Sequence, residues 1–419
     1  MPVPATPSYP SFRWFMLAAV TFGYVTCGML IIMFAPVIGD IAASYGVDVG
    51  KATGAAMASY IFFSALAVLI AGPLVDRFGV RPMIVIGGVL LVLSCLLVPV
   101  ATGSIGGLVA VRALMGLGSG PVSACVSAVA ARWFPPRERG IFAGAQGSGM
   151  ALGVALGFIA MPLVAGANHG NWRAACAWLS IVPVISLVLC LVTLVGKEPA
   201  VVETLASDPH ASGDFARALR EPVFYIGMLG MFAFCWIMNA FNQQTPAFFA
   251  VDAPLGLGLG ALAAGQKMVA VQIGMIFGGV ATGILLDKVF KGNARPVLVA
   301  GFLAAAVCMF AVRFPAVHGN PLLLGACLFG AGFFESCAIP CISAFISLNY
   351  PHAIMGKVFA VSFGVSLFGG AIGVGIGSAI LSATNSYAVP IVLVSIVAVC
   401  GALVSSLLRP TRAFAAARG

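Results

Sequence analysis

Twelve long apolar runs, separated by short polar segments, constrain this chain more than any other feature of its sequence. A helix needs about 20 apolar residues to cross a bilayer, and each run has room for one. The chain is 61% hydrophobic and only 8% charged, whereas a soluble protein carries about 25% charged residues. We therefore predict an all-α membrane protein with twelve transmembrane helices and the lipid bilayer as its solvent. The expected spans are 12–37, 51–74, 82–102, 106–132, 139–166, 173–195, 222–250, 264–286, 296–314, 321–347, 354–383 and 387–408.

One long polar segment, Gly196 to Glu221, lies between the sixth and seventh runs. It divides the chain into an N-terminal half (1–196), a linker (197–221) and a C-terminal half (222–419), with a short surface helix expected near 215–219. Lysine and arginine favour the cytoplasmic side of a membrane. Most of the 21 lysines and arginines fall on one side if both termini are cytoplasmic. We expect a multi-pass protein of a bacterial cytoplasmic (inner) membrane with both termini inside.

Several classes of function are excluded by what the sequence lacks. The net charge of +9 is spread over short clusters, without a basic stripe interleaved with aromatics, so we expect no nucleic-acid partner. The eleven cysteines lie in apolar runs without the spacing of a zinc site, and we expect no metal. The sequence has no hydrolase elbow, phosphate loop or haem ligand set, so we expect neither an enzyme nor a cofactor. The lack of a nucleotide-binding stretch also disfavours a pump driven by ATP.

A charged segment between the second and third runs has the sequence Gly72-Pro-Leu-Val-Asp-Arg-Phe-Gly-Val-Arg-Pro82. Its glycines permit a tight reversal of the chain, and its charged side chains cannot remain in lipid. We therefore expect a short charged hinge at the water interface between two membrane helices. A weaker copy begins at Gly283, about half a chain later. Two matching segments in two halves indicate internal duplication.

The hinge resembles the loop between helices 2 and 3 of the major facilitator superfamily, with its pattern G-x-L-x-D-R-x-G-x-R. The run Arg112-Ala-Leu-Met-Gly116 resembles the R-x-x-x-G pattern of the superfamily's helix 4. The resemblance covers essentially the whole chain and implies two pseudo-symmetric six-helix bundles that work by alternating access. It also implies a monomeric secondary active transporter with a small-molecule substrate and protons as coupling ion. The residues to which it assigns conformational gating are Gly72, Asp76, Arg77, Gly79, Arg81, Asp287 and Lys288.

The substrate class rests on a finer resemblance. Arg112 with Gly116, followed by the segment from Trp133 to Gly140, resembles the organic anion–proton symporters, although Ser119 stands where many of that group carry a glutamate. We therefore predict uptake of a small organic anion such as a carboxylate by proton-coupled alternating access. The alternatives are a proton-coupled drug or metabolite efflux antiporter, and a substrate-sensing homologue that does not transport.

Glu335 is the one acidic residue predicted in the middle of an apolar run, that of helix 10. A carboxyl buried in a low dielectric can take up and release a proton near neutral pH, and sugar–proton symporters of the resembled family can use a helix 10 glutamate. We assign proton coupling to it, with a structural carboxyl and a counter-charge for a cationic substrate as alternatives. Arg112 is expected near the outer boundary. It is either an anchor for an anionic substrate or a participant in proton coupling, or else it snorkels to the outer headgroups or braces neighbouring helices.

Predicted helix 7 carries a cluster of amides just before Pro246, too polar to face lipid. We expect it to face the cavity or other helices, where the proline can free backbone carbonyls. Lys267, at the outer end of predicted helix 8, is either a gate or solvated. The glycines of predicted helices 5 and 11 indicate tight packing, which can also permit sliding. The residues to which we assign substrate binding are Arg112, Asn239, Asn242, Gln243 and, more weakly, Tyr24.

Overall fold

The computed structural model describes residues 10–135, 138–196 and 211–411, and the regular structure in those ranges is entirely helical. Twelve helices are long and apolar enough to cross a membrane, so the predicted all-α fold with twelve spans is confirmed. The spanning helices are α1 (Arg13–Ile32), α2 (Val49–Phe78), α3 (Val80–Ala101), α4 (Ile105–Trp133), α5 (Arg139–Ala167), α6 (Trp172–Val192), α7 (Pro222–Ala250), α8 (Ala261–Lys288), α9 (Ala294–Ala311), α10 (Pro321–Asn349), α11 (His352–Thr384) and α12 (Ala388–Ser406).

Within the described ranges, three short helices lie outside the spans: Ile38–Tyr45, Ala211–Ala218 and Pro315–His318. The first of them explains why α1 is shorter than predicted, since the chain turns after Ile32 into this separate helix. The second corresponds to the surface helix expected near 215–219. Residues 197–210 lie outside the described part of the chain, and the division into two halves and a linker stays a prediction.

The hinge differs from its prediction as a charged loop. The helix α2 continues through Asp76 and Arg77 to Phe78, and α3 begins at Val80. Gly79 alone makes the reversal, with φ +87°, a conformation that favours glycine. A positive side chain is favourable in the last turn of a helix, where the dipole is negative, which explains why Arg77 does not end the helix early.

Helix pairs repeat between the two halves with an offset of six. A Cβ added to Gly153 of α5 would lie 2.0 Å from the carbonyl oxygen of Val25 on α1, and one on Gly370 of α11 would lie 2.5 Å from Asn239 of α7. The pair α2 and α4 meets in the same way at Gly116, and the pair α8 and α10 meets at Gly332. Glycine therefore lets backbones approach closely at equivalent places. This repetition confirms two pseudo-symmetric six-helix bundles.

The two bundles touch through α2 with α11 and through α5 with α8. A Cβ on Gly50 would lie 2.5 Å from the carbonyl oxygen of Ser378, and one on Gly265 would lie 2.0 Å from that of Phe158. Both contacts lie on the face opposite the start of α1 and the end of α12, which is called the face opposite the termini below. On the terminal side of α5, by contrast, a Cβ added to Gly144 would meet no atom within 4 Å. The structure is therefore closed on the face opposite the termini.

Candidate functional site

A cluster of buried polar side chains occupies the second half of α7. Its members, none more than 6% exposed, are Asn239, Asn242, Gln243, Gln244 and Thr245 of α7 and Gln272 of α8. Four of them are consecutive, and successive residues of a helix point about 100° apart, so they contact several neighbouring helices. The cluster therefore presents amide and hydroxyl groups to its surroundings and no charged group.

Hydrogen bonds connect this cluster to both halves. The amide Nε2 of Gln272 donates to Oδ1 of Asn242 at 2.8 Å, and Nε2 of Gln243 donates to the carbonyl oxygen of Ile31 on α1 at 3.1 Å. Asn239 donates to the carbonyl oxygen of Cys235 in its own helix. The hydrogen bond from Gln243 to Ile31 joins α7 to the opposite bundle.

Three atoms of the cluster have no hydrogen-bond partner within the described ranges: Oε1 of Gln243, Nε2 of Gln244 and Oγ1 of Thr245. A buried polar group without a partner costs about 1–3 kcal/mol. Pro246 follows directly and lies inside the helix, so the backbone carbonyl four residues before it loses its usual N–H donor. These groups can serve a polar solute at little additional desolvation cost.

Arg112 lies inside the N-terminal bundle, fully buried, and does not extend to the headgroups. Its Nη1 donates to the carbonyl oxygen of Leu30 at 2.6 Å, its Nη2 donates to that of Ile31 at 3.1 Å, and its Nε donates to that of Ala56. The last carbonyls of a helix lack partners within it, and α1 ends at Ile32. The arginine therefore braces the end of α1, which fits the bracing alternative. Its assignment to substrate binding stays a prediction.

Aromatic rings complete the surroundings of this guanidinium. Its Cζ lies 4.6 Å from the ring centre of Tyr60 and 5.0 Å from that of Phe34, within the range of cation–π attraction. The carbonyl of Ile31 accepts from both Arg112 and Gln243. Two residues predicted to bind substrate are thus brought together across the bundle interface.

Replacing Arg112 with methionine is expected to lower the melting temperature of the purified protein strongly. The change removes one charged donor from each of the carbonyls of Leu30, Ile31 and Ala56, and a hydrogen bond to a charged group contributes about 1.5–3 kcal/mol. The matched control is Arg132→Met, because Arg132 lies exposed on the same helix. Equal melting temperatures for the two variants would contradict the bracing role.

Glu335 lies where α10 is interrupted, between the helical segments Pro321–Glu335 and Ala338–Asn349. Pro340 lacks an N–H, which explains an interruption at this point. The carboxyl is fully buried, and neither of its oxygens has a hydrogen-bond partner in the described part of the chain. The turn at Gly332 packs on Val271, the neighbour of Gln272. Glu335 thus lies on a segment adjoining the amide cluster.

Four further candidates make no hydrogen bond or salt bridge to this cluster among the described residues. Tyr24 is half-buried on α1 beside Ser123 of α4. Asp76 and Asp287 are exposed, and among the described residues neither is in a salt bridge. Lys267 is half-buried near the start of α8. The structure does not bring the hinge residues to the amide cluster.

Some contacts were not foreseen from the sequence. Asp48, just before α2, accepts a hydrogen bond from Ser382 of α11 and pairs with Lys51 at 3.4 Å. Burial raises the pKa of Asp48, but the hydrogen bonds from Ser382 and Lys51 and the charge of Lys51 outweigh it, so the pKa lies below its usual range. This contact between the bundles therefore persists at neutral pH and weakens only as pH falls through that lowered pKa.

Gln272 was also missed, although a lone amide in an apolar run is a signal that the sequence contains.

The fold and the buried polar segment together define a multi-pass membrane transporter. The sequence matches the family model of the Major Facilitator Superfamily over residues 20–312 and 255–418, and the chain belongs to this family. Members of the family are transporters, so the prediction that the protein is not an enzyme is confirmed.

Individual relatives agree with this assignment. The chain is 25% identical to the Hexuronate transporter of Bacillus subtilis (strain 168) over 305 residues, which cover 71% of this chain and 69% of that protein. It is 32% identical over 113 residues to the protein named Probable anion transporter 4, chloroplastic, of Arabidopsis thaliana, a match that covers 27% of this chain and only 21% of that protein. A solved structure of the D-xylose-proton symporter superposes with a TM-score of 0.73 at 18% identity, covering 96% of this chain and 98% of that one.

Proposed function

We propose that this protein takes up a small organic anion, such as a carboxylate, together with a proton. Proton coupling is supported by the surroundings of Glu335. Its carboxyl is fully buried at the interruption of α10, and neither oxygen has a hydrogen-bond partner among the described residues. An unpaired buried carboxylate is costly in the membrane. The buried group is therefore favoured in its neutral, protonated form, and the ionised form needs a partner or water. Proton release is thereby coupled to opening of the site.

The anion class is supported by the relatives named for hexuronate and for anions. Within the chain, the amides of Asn239, Asn242 and Gln243 offer hydrogen bonds to a carboxylate or hydroxyl, and Tyr24 adds a hydroxyl. Arg112 supplies the positive charge. When the bundles separate opposite the termini, the contact of Gln243 with Ile31 breaks, and the guanidinium exchanges a backbone carbonyl for the substrate carboxylate.

We place both termini in the cytoplasm of a bacterial cell, and with this orientation the conformation described is inward-facing. The hinge residues act in the opposite conformation. Asp76 and Arg77, exposed here, hold the cytoplasmic helix ends together when the protein opens outward. The transporter acts as a monomer, with one substrate path between the bundles.

Uptake into proteoliposomes tests this proposal. The purified protein is reconstituted, and an inside-alkaline pH gradient is imposed in the presence of a labelled hexuronate, a labelled monocarboxylate, a neutral sugar or a cationic drug. We expect accumulation of an anion that a protonophore collapses. Gradient-driven movement of the cationic drug alone would contradict the uptake of an anion and would support the antiport of drugs or metabolites. Exclusive transport of the neutral sugar would overturn the anion class.

A further inference from the structure

An apolar groove of about 550 Å³ lies on the outside of the C-terminal bundle, between α9 and α12. Its walls include Leu303 and Val307 of α9 and Ile396 and Val399 of α12, which are between 41% and 69% exposed. The only hydroxyl in the lining, that of Ser395, is already bonded to the carbonyl oxygen of Ile391. The groove therefore offers hydrocarbon contacts and no polar group.

The groove occupies one leaflet. The lining begins at Leu303 and runs to the end of α9 at Ala311 and the turn beyond it, which is about 12 Å of helix at 1.5 Å per residue plus the turn. One leaflet of the hydrocarbon core is about 15 Å thick. Because α9 and α12 both span the membrane, the groove lies in the half opposite the termini and opens sideways to lipid.

A cation marks the mouth of this groove. Arg313 lies two residues beyond the end of α9, and its Cζ lies 4.6 Å from the ring centre of Phe310 and 5.1 Å from that of Phe314, two lining residues. Within the described ranges no acidic residue pairs with it. The rings hold a positive charge just beyond the end of a spanning helix, and basic side chains at such ends reach the lipid headgroups.

We propose that this groove binds one phospholipid from the leaflet opposite the termini, with an acyl chain between α9 and α12 and its phosphate on Arg313. The apolar walls match the chain, and the cation matches the headgroup. An anionic headgroup is preferred, because a zwitterionic one brings its own positive charge to Arg313. The site lies outside the substrate path and does not depend on the transport proposal.

Native mass spectrometry of the full-length protein tests the site, with phosphatidylglycerol and phosphatidylcholine titrated separately into delipidated samples. We expect one retained phosphatidylglycerol that survives activation. Val399→Trp fills the groove and is expected to weaken this binding about tenfold or more, because burial of even two methylene groups contributes about that factor. The matched control is Val280→Trp, since Val280 is 63% exposed on α8 and lies outside the groove.

The headgroup contact is tested separately. Arg313→Gln is expected to remove the preference for phosphatidylglycerol over phosphatidylcholine, whereas Arg313→Lys keeps it. Both substitutions change a half-exposed side chain, so they give a readout even if Val399→Trp does not fold. Equal retention by the two tryptophan variants, equal affinity for the two lipids, or a dimer that Val399→Trp dissociates would each overturn the proposal.

Discussion

Glu335→Gln is expected to abolish proton-driven accumulation while leaving substrate exchange intact. A glutamine side chain keeps the shape of the carboxyl but cannot bind and release a proton. One proton moving down a gradient of one pH unit supplies about 1.4 kcal/mol, enough for about tenfold accumulation of substrate. The ratio of internal to external substrate should therefore fall from about ten to about one in the variant, measured in proteoliposomes with a labelled anion.

Counterflow provides the internal control for this variant. Exchange of internal for external substrate needs no net proton movement, so its retention shows that the protein is folded and binds. Glu221→Gln is the matched control, because Glu221 lies at the start of α7, outside the membrane-buried segments. Unchanged accumulation in Glu335→Gln would remove the proton-coupling role and leave a structural carboxyl.

Gly265→Ala is expected to open the face opposite the termini and to inhibit transport. The added Cβ would lie 2.0 Å from the carbonyl oxygen of Phe158, across the interface of the two bundles. Overpacking of this kind costs about 1–3 kcal/mol, which corresponds to a shift of about 5- to 150-fold in a conformational equilibrium. Separation of the bundles relieves the clash, so the variant should favour the conformation that is open opposite the termini.

Two other glycines calibrate this result. Gly279→Ala, on the same helix, adds a Cβ that meets nothing within 4 Å and should behave as wild type. Gly153→Ala clashes with Val25 inside one bundle, where no separation of bundles relieves it, and should reduce the yield of folded protein. The measurement is labelling of a Ser382→Cys reporter by an impermeant maleimide, in a Cys400→Ala background. Labelling no faster in Gly265→Ala than in Gly279→Ala would contradict the expected opening.

The number and order of the spanning helices followed from the sequence for a simple physical reason. Inside a bilayer every backbone group needs a partner, so a long apolar run has helix as its available structure. The interruption of α10 beside Glu335 and the single-residue reversal at Gly79 did not follow in the same way. The first depends on how Pro340 is accommodated by neighbours, and the second on one backbone angle. Neither is encoded in hydropathy.

The candidate site was predicted in part. The amides of α7 stood out because they are polar in an apolar run, and the structure buries them as expected. The partners of Arg112 could not be foreseen, since they are backbone carbonyls as far as 82 residues away in the chain. A carbonyl is present at every residue, so no side-chain pattern identifies the three that an arginine reaches.

The carbonyl oxygen of Ile31 accepts one hydrogen bond from Arg112 in the first bundle and another from Gln243 in the second. One acceptor atom therefore ties the end of α1 to residues that are far apart in the chain. A hybrid transporter that joins one half of this chain to the other half of a relative would keep only one of these donors unless the relative carries its own. Exchange of halves between relatives is thus constrained by a backbone atom that carries no side-chain identity.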